Sequence, residues 1–94
     1  MLHAMAIIRV QPERLASVAA ELAALAVKSR EEPGCIRYEV FQREGEAVLV
    51  TQEAWTHAAA EAAHMNGPNV AAAMAAVGAF LSAPPEIHRY NKLA

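Results

Sequence analysis

Aromatic residues and cysteines are scarce in this chain. Aromatic side chains make up 5% of the 94 residues, and Cys35 is the only cysteine. A single cysteine excludes an internal disulfide and is typical of a reducing compartment, so we expect a cytoplasmic protein. Lys and Arg are scattered and the net charge is −2, which predicts no nucleic-acid partner.

Long hydrophobic runs are also missing. The longest apolar stretches are far shorter than the roughly 20 residues of a membrane span, so no membrane partner is expected. The N-terminal MLHAMAIIRV lacks the cationic region and cleavage site of a signal peptide.

Small apolar residues dominate what is present. The chain is 55% hydrophobic, and its length predicts one domain, residues 1–94. A core built largely from alanine is shallow and leaves little stability to spare. We therefore expect further apolar surface to be buried by self-association.

The first third of the chain predicts a strand, a helix and a loop. Leu2 to Val10 is an apolar, partly β-branched run, as in a strand covered on both faces. Pro12 suits the first turn of a helix that ends near Arg30. Its apolar positions recur at helical spacing: Leu15, Val18, Leu22 and Leu25. Glu32-Pro33-Gly34 then predicts a loop.

The next segment predicts a hairpin. From Cys35 to Phe41 apolar and polar residues alternate, which puts Ile36, Tyr38 and Val40 on one face. Arg43-Glu44-Gly45 is the turn, and Ala47 to Trp55 is the return strand.

The remaining segments predict two helices and a last strand. Thr56 is the predicted cap of a short helix that ends at Asn66-Gly67. Pro68 opens a second helix with Val70, Met74, Val77 and Leu81 on one face, and Glu86 to Tyr90 is the final strand. The order β-α-β-β-α-β is that of an α+β, ferredoxin-like fold with a four-stranded antiparallel sheet. Since the strand centres are apolar on both faces, a homodimer that packs sheet on sheet is expected.

Two motifs resemble those of a known family. "EEPGCIRYEVF", followed by "TQEAW", His64 nine residues after Trp55, and Pro68, is similar to the antibiotic biosynthesis monooxygenase (ABM) family. The likeness extends to the terminal "PPEIHRY". It implies a dimeric α+β barrel with one pocket per protomer, between the sheet and the helices. It also implies, for some members, oxygenation of aromatic or quinol substrates without metal, flavin or haem.

With that fold, the central residues outline a candidate pocket. Strand alternation places Thr51, Glu53 and Trp55 on one face, beneath the helical layer. Ala59, Ala60 and Ala63 would leave room above this face, and His64 would reach into it. Met65 and Met74 are expected in the core or the pocket wall. Tyr38 and Tyr90 are interpreted as sheet residues, and the dimer face is an alternative position for each of them.

The hypothesis that follows is a small, stand-alone, quinol-monooxygenase-like enzyme that uses dioxygen and no cofactor. His64 would be the catalytic base, since an imidazole with a reference pKa of about 6.5 can take a proton from a phenol. Trp55, Glu53, Thr51, Met65 and Met74 would contact the substrate, a quinol or polycyclic phenol. Two alternatives stay open: a non-catalytic metabolite-binding or stress-response module, and a haem-degrading protein with His64 as axial ligand.

Two departures from the family pattern bear on the chemistry. Pro68 is followed by Asn69, where relatives often have histidine, and Glu61 stands where an apolar residue is common. His57, Glu61 and His64 can share a helical face, yet seven helical residues rise about 10 Å, too far for one metal ion. We therefore interpret His57 and Glu61 as solvent-exposed and predict no metal site.

Overall fold

The chain folds as one four-stranded antiparallel sheet with helices on one face. This computed structural model describes all residues, 1–94. The elements in chain order are β1 (Leu2–Arg9), α1 (Leu15–Arg30), β2 (Cys35–Gln42), β3 (Val48–Trp55), α2 (Ala58–Met65), α3 (Pro68–Val77) and β4 (Glu86–Tyr90). The strand order β2-β3-β1-β4 confirms the predicted ferredoxin-like α+β fold.

The core lies between the sheet and the helices. Along β1, Ala4, Ala6 and Ile8 are buried while the residues between them are partly exposed. The apolar face of α1 closes over these positions with Val18 and Leu22. Small residues in β1 keep this layer thin, so large side chains from neighbouring elements must fill or bound the remaining space.

No helix covers the opposite face of the sheet. Met5 and Ile7 of β1 and Val50 of β3 are partly exposed there, and Phe41 of β2 keeps 42% of its surface accessible. Ile7 and Val50 are direct neighbours in the antiparallel register. This open sheet face is therefore apolar at its centre and accessible in the single chain.

The helices begin and end at slightly different residues from those predicted. A 3₁₀ turn at Pro12–Arg14 precedes α1, and a second 3₁₀ turn at Gly78–Phe80 ends α3 before it reaches Leu81. Leu81 instead forms an isolated bridge with Val10. None of the helices combines the length and hydropathy that a membrane crossing requires.

The predicted cap of α2 was wrong by one residue. His57, not Thr56, is the N-cap: its Nδ1 accepts a hydrogen bond from the Ala60 amide at 3.2 Å. Thr56 has a different partner: its backbone amide donates to the Gly34 carbonyl at 2.9 Å. That bond ties the end of β3 to the loop before β2.

A bulge changes the predicted face of Ile36. The register between β2 and β3 shifts between Cys35 and Arg37, so the alternation that holds from Tyr38 onward does not extend back to Ile36. Ile36 is consequently 52% exposed, whereas Tyr38 is buried under the helices. An extra residue in one strand is the usual effect of a β-bulge, and alternation alone gives no sign of it.

Candidate functional site

A cavity of about 260 Å³ lies between the sheet and the helices. We call it the inner cavity. Its polar wall residues are Tyr38, Thr51, Glu53 and His64; its apolar wall consists of Ala6, Ile8, Leu22, Leu25, Met65, Val70, Ala73, Met74, Pro85 and Ile87. Five of the six predicted site residues, all except Trp55, thus lie in its wall.

Trp55 lies beneath the site and not in its wall. Its side chain is fully buried, and its ring centre is 4.7 Å from that of His64, with the planes tilted by 37°. The indole Nε1 donates to Glu53 Oε1 at 3.1 Å. Trp55 therefore supports two cavity residues from below, and it has no open surface of its own for a ligand.

Glu53 is held in place by a chain of buried hydrogen bonds. The Ala6 amide donates to Thr51 Oγ1 at 2.8 Å, and the Thr51 hydroxyl donates to Glu53 Oε2 at 2.6 Å. Together with the Trp55 indole, these bonds give both carboxylate oxygens a donor. Glu53 is only 6% exposed, and donors of this kind are what allow a carboxylate to remain in a largely apolar wall.

His64 is oriented by Glu32, a residue of the predicted loop that was not among the predicted site residues. Glu32 Oε1 lies 2.7 Å from His64 Nδ1, and Glu32 Oε2 accepts a bond from Asn69 Nδ2, also at 2.7 Å. Because an ionised carboxylate can only accept, Nδ1 carries the proton in this pair. The other ring nitrogen, Nε2, forms no hydrogen bond within the chain, so in the neutral imidazole it is the acceptor.

Tyr38 is the second residue whose place in the site was missed. It lies on the helix-covered face, opposite Glu53 in the register, and its ring centre is 5.3 Å from that of His64. Burial raises the pKa of its phenol well above the ordinary value, and the nearby Glu53 and Glu32 carboxylates raise it further. The Tyr38 hydroxyl therefore stays protonated at neutral pH and can donate.

His64 also faces a second space on its outer side. This outer cleft of about 640 Å³ lies between Glu32–Gly34, one side of α2 and the first residues of α3, and both His64 and Glu32 line it. Ala59 and Ala63, predicted to leave room above the sheet, are exposed and line this cleft instead. His64 therefore borders two spaces, the mostly apolar inner cavity and the more open, more polar outer cleft.

The prediction that Glu61 is solvent-exposed was wrong. Its side chain is buried, and its Oε1 accepts a bond from Arg89 Nε at 2.9 Å. Arg89 comes from β4, at the edge of the sheet, and its contact with a residue of α2 28 positions away could not be read from local spacing. The bond and charge of Glu61 raise the pKa of Arg89 above its ordinary value. His57, Glu61 and His64 thus have separate partners, and no three ligand-type side chains are arranged to hold a metal ion.

Comparison with known proteins agrees with this architecture. A Pseudomonas aeruginosa protein superposes with a TM-score of 0.89 at 28% identity, covering 99% of this chain and 94% of that one. A Nitrosomonas europaea protein of unknown function gives 0.88 at 27% identity, with coverage of 99% and 89%. A crystal structure named antibiotic biosynthesis monooxygenase gives 0.92 at 22% identity over the full length of both chains, a likeness of fold.

The family assignment comes from the sequence itself. No curated protein sequence matches the chain. The family model described as antibiotic biosynthesis monooxygenase matches residues 1–76, which extend from β1 to the penultimate residue of α3 and include every polar residue of the inner cavity. The chain therefore belongs to the antibiotic biosynthesis monooxygenase family.

Proposed function

We propose that this protein is a cofactor-independent monooxygenase that oxidises a small quinol in the inner cavity. The observation that carries the proposal is the state of His64. Its Nδ1 is hydrogen-bonded to Glu32, its Nε2 forms no hydrogen bond within the chain, and its ring forms part of an otherwise mostly apolar wall. This is the arrangement that a general base for a phenolic hydroxyl requires.

The reaction needs only the substrate and dioxygen. A quinol hydroxyl would donate its proton to His64 Nε2, and the resulting electron-rich anion would reduce dioxygen. A C–O bond then forms on the ring, and the O–O bond breaks as water leaves. One quinol and one dioxygen give one hydroxyquinone and one water, with the quinol supplying all the electrons.

The other cavity residues have roles that follow from their positions. The protonated Tyr38 hydroxyl can donate to an oxygen that gains negative charge, and a dry wall strengthens such a bond. Glu53, fixed by Thr51 and Trp55, can accept from the second hydroxyl of the substrate. Glu32 acts through His64 and is a positioning residue.

Size limits the substrate that can be enclosed. A cavity of about 150 Å³ is enough for benzene, so about 260 Å³ suits one substituted ring or two fused rings. A larger polycyclic phenol, which the sequence left open, would have to extend beyond the inner cavity. We therefore narrow the proposed substrate to a one- or two-ring quinol.

We further propose that two copies associate through the open sheet face. The partly exposed Met5, Ile7 and Val50 lie at its centre, where a second apolar sheet would remove them from water. Sedimentation analysis of the wild type and of Ile7→Glu tests this: we expect a dimer and a monomer, respectively. A monomeric wild type would contradict the proposal.

Oxygen uptake tests the proposed activity. A panel of one- and two-ring quinols, measured with anaerobic controls, should include at least one that consumes one dioxygen per quinol. Labelled dioxygen should place one labelled atom in the product and one in water. His64→Ala should lower kcat by about 100-fold or more, the range of general-base catalysis.

A matched control uses another histidine. His88 lies on β4, is exposed and does not line the inner cavity. It pairs with Met5 on the open sheet face, so a His88→Ala protein that sediments like the wild type should show unchanged turnover. Quinols that bind to the protein without any oxygen uptake would reject the enzyme proposal and favour the binding-module alternative. Equal turnover in His64→Ala and the wild type would remove His64 from the mechanism.

A further inference from the structure

A second, more open space adjoins the inner cavity. This space has a volume of about 360 Å³ and is bounded by Met74, Gly78 and residues 81–85; we call it the vestibule. Met74 and Pro85 belong to the walls of both spaces. These two side chains therefore form the boundary between the two spaces, which we call the junction.

The vestibule is lined without any charged side chain. Its residues are apolar or glycine, apart from Ser82. Met74 is 38% exposed, so the junction is bordered by a flexible thioether side chain that can adapt to an occupant. Walls of this kind favour an aliphatic group and give an ionic group no partner.

Backbone hydrogen bonds hold one wall of the vestibule in place. The Ser82 amide donates to the Arg9 carbonyl at 2.9 Å, and the Gln11 amide donates to the Phe80 carbonyl at 2.9 Å. Leu81 pairs with Val10 between these two bonds. The segment around Leu81 is therefore fixed to the end of β1, so this wall is formed before any ligand binds.

We propose that the vestibule binds an uncharged aliphatic substituent of the molecule whose ring fills the inner cavity. The substrate class is then a one- or two-ring quinol that carries an alkyl or alkenyl chain. This inference rests on the proposed function for its chemistry, but for binding it rests only on the two adjoining spaces and their shared wall residues. The chain passes between Met74 and Pro85, which makes these two residues determinants of specificity.

Binding of 4-alkylphenols, from methyl to heptyl, tests the vestibule without any turnover. These probes carry a single hydroxyl and are not quinols, and calorimetry reports their dissociation constants directly. Each methylene buried in the vestibule should tighten binding by about two- to four-fold until the space is filled. Equal affinities across the wild-type series would overturn the proposal.

A substitution in the vestibule wall supplies the second arm. A Cβ at Gly78 would meet only the end of Met74, at 3.9 Å, so Gly78→Phe can place its ring in the vestibule. We expect this variant to bind 4-methylphenol like the wild type and to lose the dependence on chain length. The neighbouring, exposed Ala79, which does not line the vestibule, gives the control Ala79→Phe, which should retain that dependence.

Retained chain-length dependence in Gly78→Phe would contradict the inference. Ala83→Leu fills the same space from another position and replaces Gly78→Phe as the test variant if circular dichroism shows that the latter is unfolded. Chain-length-dependent binding without oxygen uptake would support the vestibule and reject the enzyme proposal. Turnover of quinols with no effect of chain length would support the enzyme proposal and reject the vestibule.

Discussion

Replacing Glu32 with glutamine should reverse the proton position on His64. The carboxylate accepts two bonds, one from His64 Nδ1 and one from Asn69 Nδ2, both at 2.7 Å. Glutamine has a single acceptor oxygen, and while Asn69 keeps its Nδ2 directed at residue 32, that oxygen accepts from Asn69. The new side-chain NH₂ then faces His64 Nδ1, which must accept, so the ring proton moves to Nε2.

The size of the effect on stability follows from the bonds that change. Two charge-assisted hydrogen bonds become neutral ones, at a cost of about 1 kcal/mol each. The His64 and Glu32 side chains are 2% and 18% exposed, so water replaces little of this loss. Unfolding should become easier by about 2 kcal/mol, which for a domain of this size lowers Tm by about 8–16 °C.

Nitrogen NMR of the histidine ring is the direct assay for the proton position. The wild type should show the Nδ1–H form of His64 at neutral pH, and Glu32→Gln the Nε2–H form, with a fall in kcat of about 10- to 100-fold if His64 is the base. Glu31→Gln removes the same charge from an exposed neighbour and should change neither property. An Nε2–H form in the wild type would refute the reasoning.

Three further predictions concern stability. Gly34 has φ +81°, and a Cβ there would lie 2.6 Å from the nearest side-chain atom, so Gly34→Ala should lower the free energy of unfolding by about 2–4 kcal/mol in chemical denaturation. Gly45 has φ +74° but open space around it, so Gly45→Ala should cost only about 1 kcal/mol. Equal costs for the two variants would show that the close contact at Gly34 is absent. Arg89→Ala leaves the Glu61 carboxylate buried without its partner and should lower the free energy of unfolding by about 1–3 kcal/mol, less than for a fully buried pair because Arg89 is 49% exposed. Adding Glu61→Leu should restore stability, and a double variant no more stable than the single one would contradict this. Burial raises the pKa of the Tyr38 phenol from about 10, so the native state holds this proton more tightly than the unfolded chain, and the resulting contribution to the free energy of unfolding is present below about pH 10 and lost as the pH rises further. Between pH 9 and pH 11, the free energy of unfolding in urea should fall less in Tyr38→Phe than in the wild type. Equal falls in the two proteins would exclude Tyr38 as the source.

Local sequence patterns predicted most of the fold. Helical spacing of apolar residues located α1, and turn residues located the hairpin and the break at Gly67-Pro68. The errors occurred where a single residue decided the outcome. The bulge at Ile36 depends on the pairing of β2 with β3, and residue spacing gives no sign of it. The cap of α2 is a local bond from the Ala60 amide to His57, next to Thr56, whose amide is bonded to the distant Gly34 carbonyl.

The sequence predicted the strand residues of the site better than the partners of those residues. Alternation placed Thr51 and Glu53 on the face covered by the helices. The same alternation puts Tyr38 and Val40 on one face of β2, so it could have placed Tyr38 on the covered face as well. Glu32 and Arg89 are different, since each lies about 30 residues from its partner on α2. Bonds across such separations follow from the packing of distant elements, so local spacing could not predict them.

The central claim is that an aromatic ligand fills the inner cavity with an oxygen bonded to His64 Nε2. A crystal structure obtained after an anaerobic soak with 1,4-naphthohydroquinone tests it most directly. The account predicts ring density between the sheet and α3, with one oxygen within 3.2 Å of Nε2 (a hydrogen-bond distance). Density confined to the outer cleft, or an inner cavity filled by collapsed side chains, would contradict it.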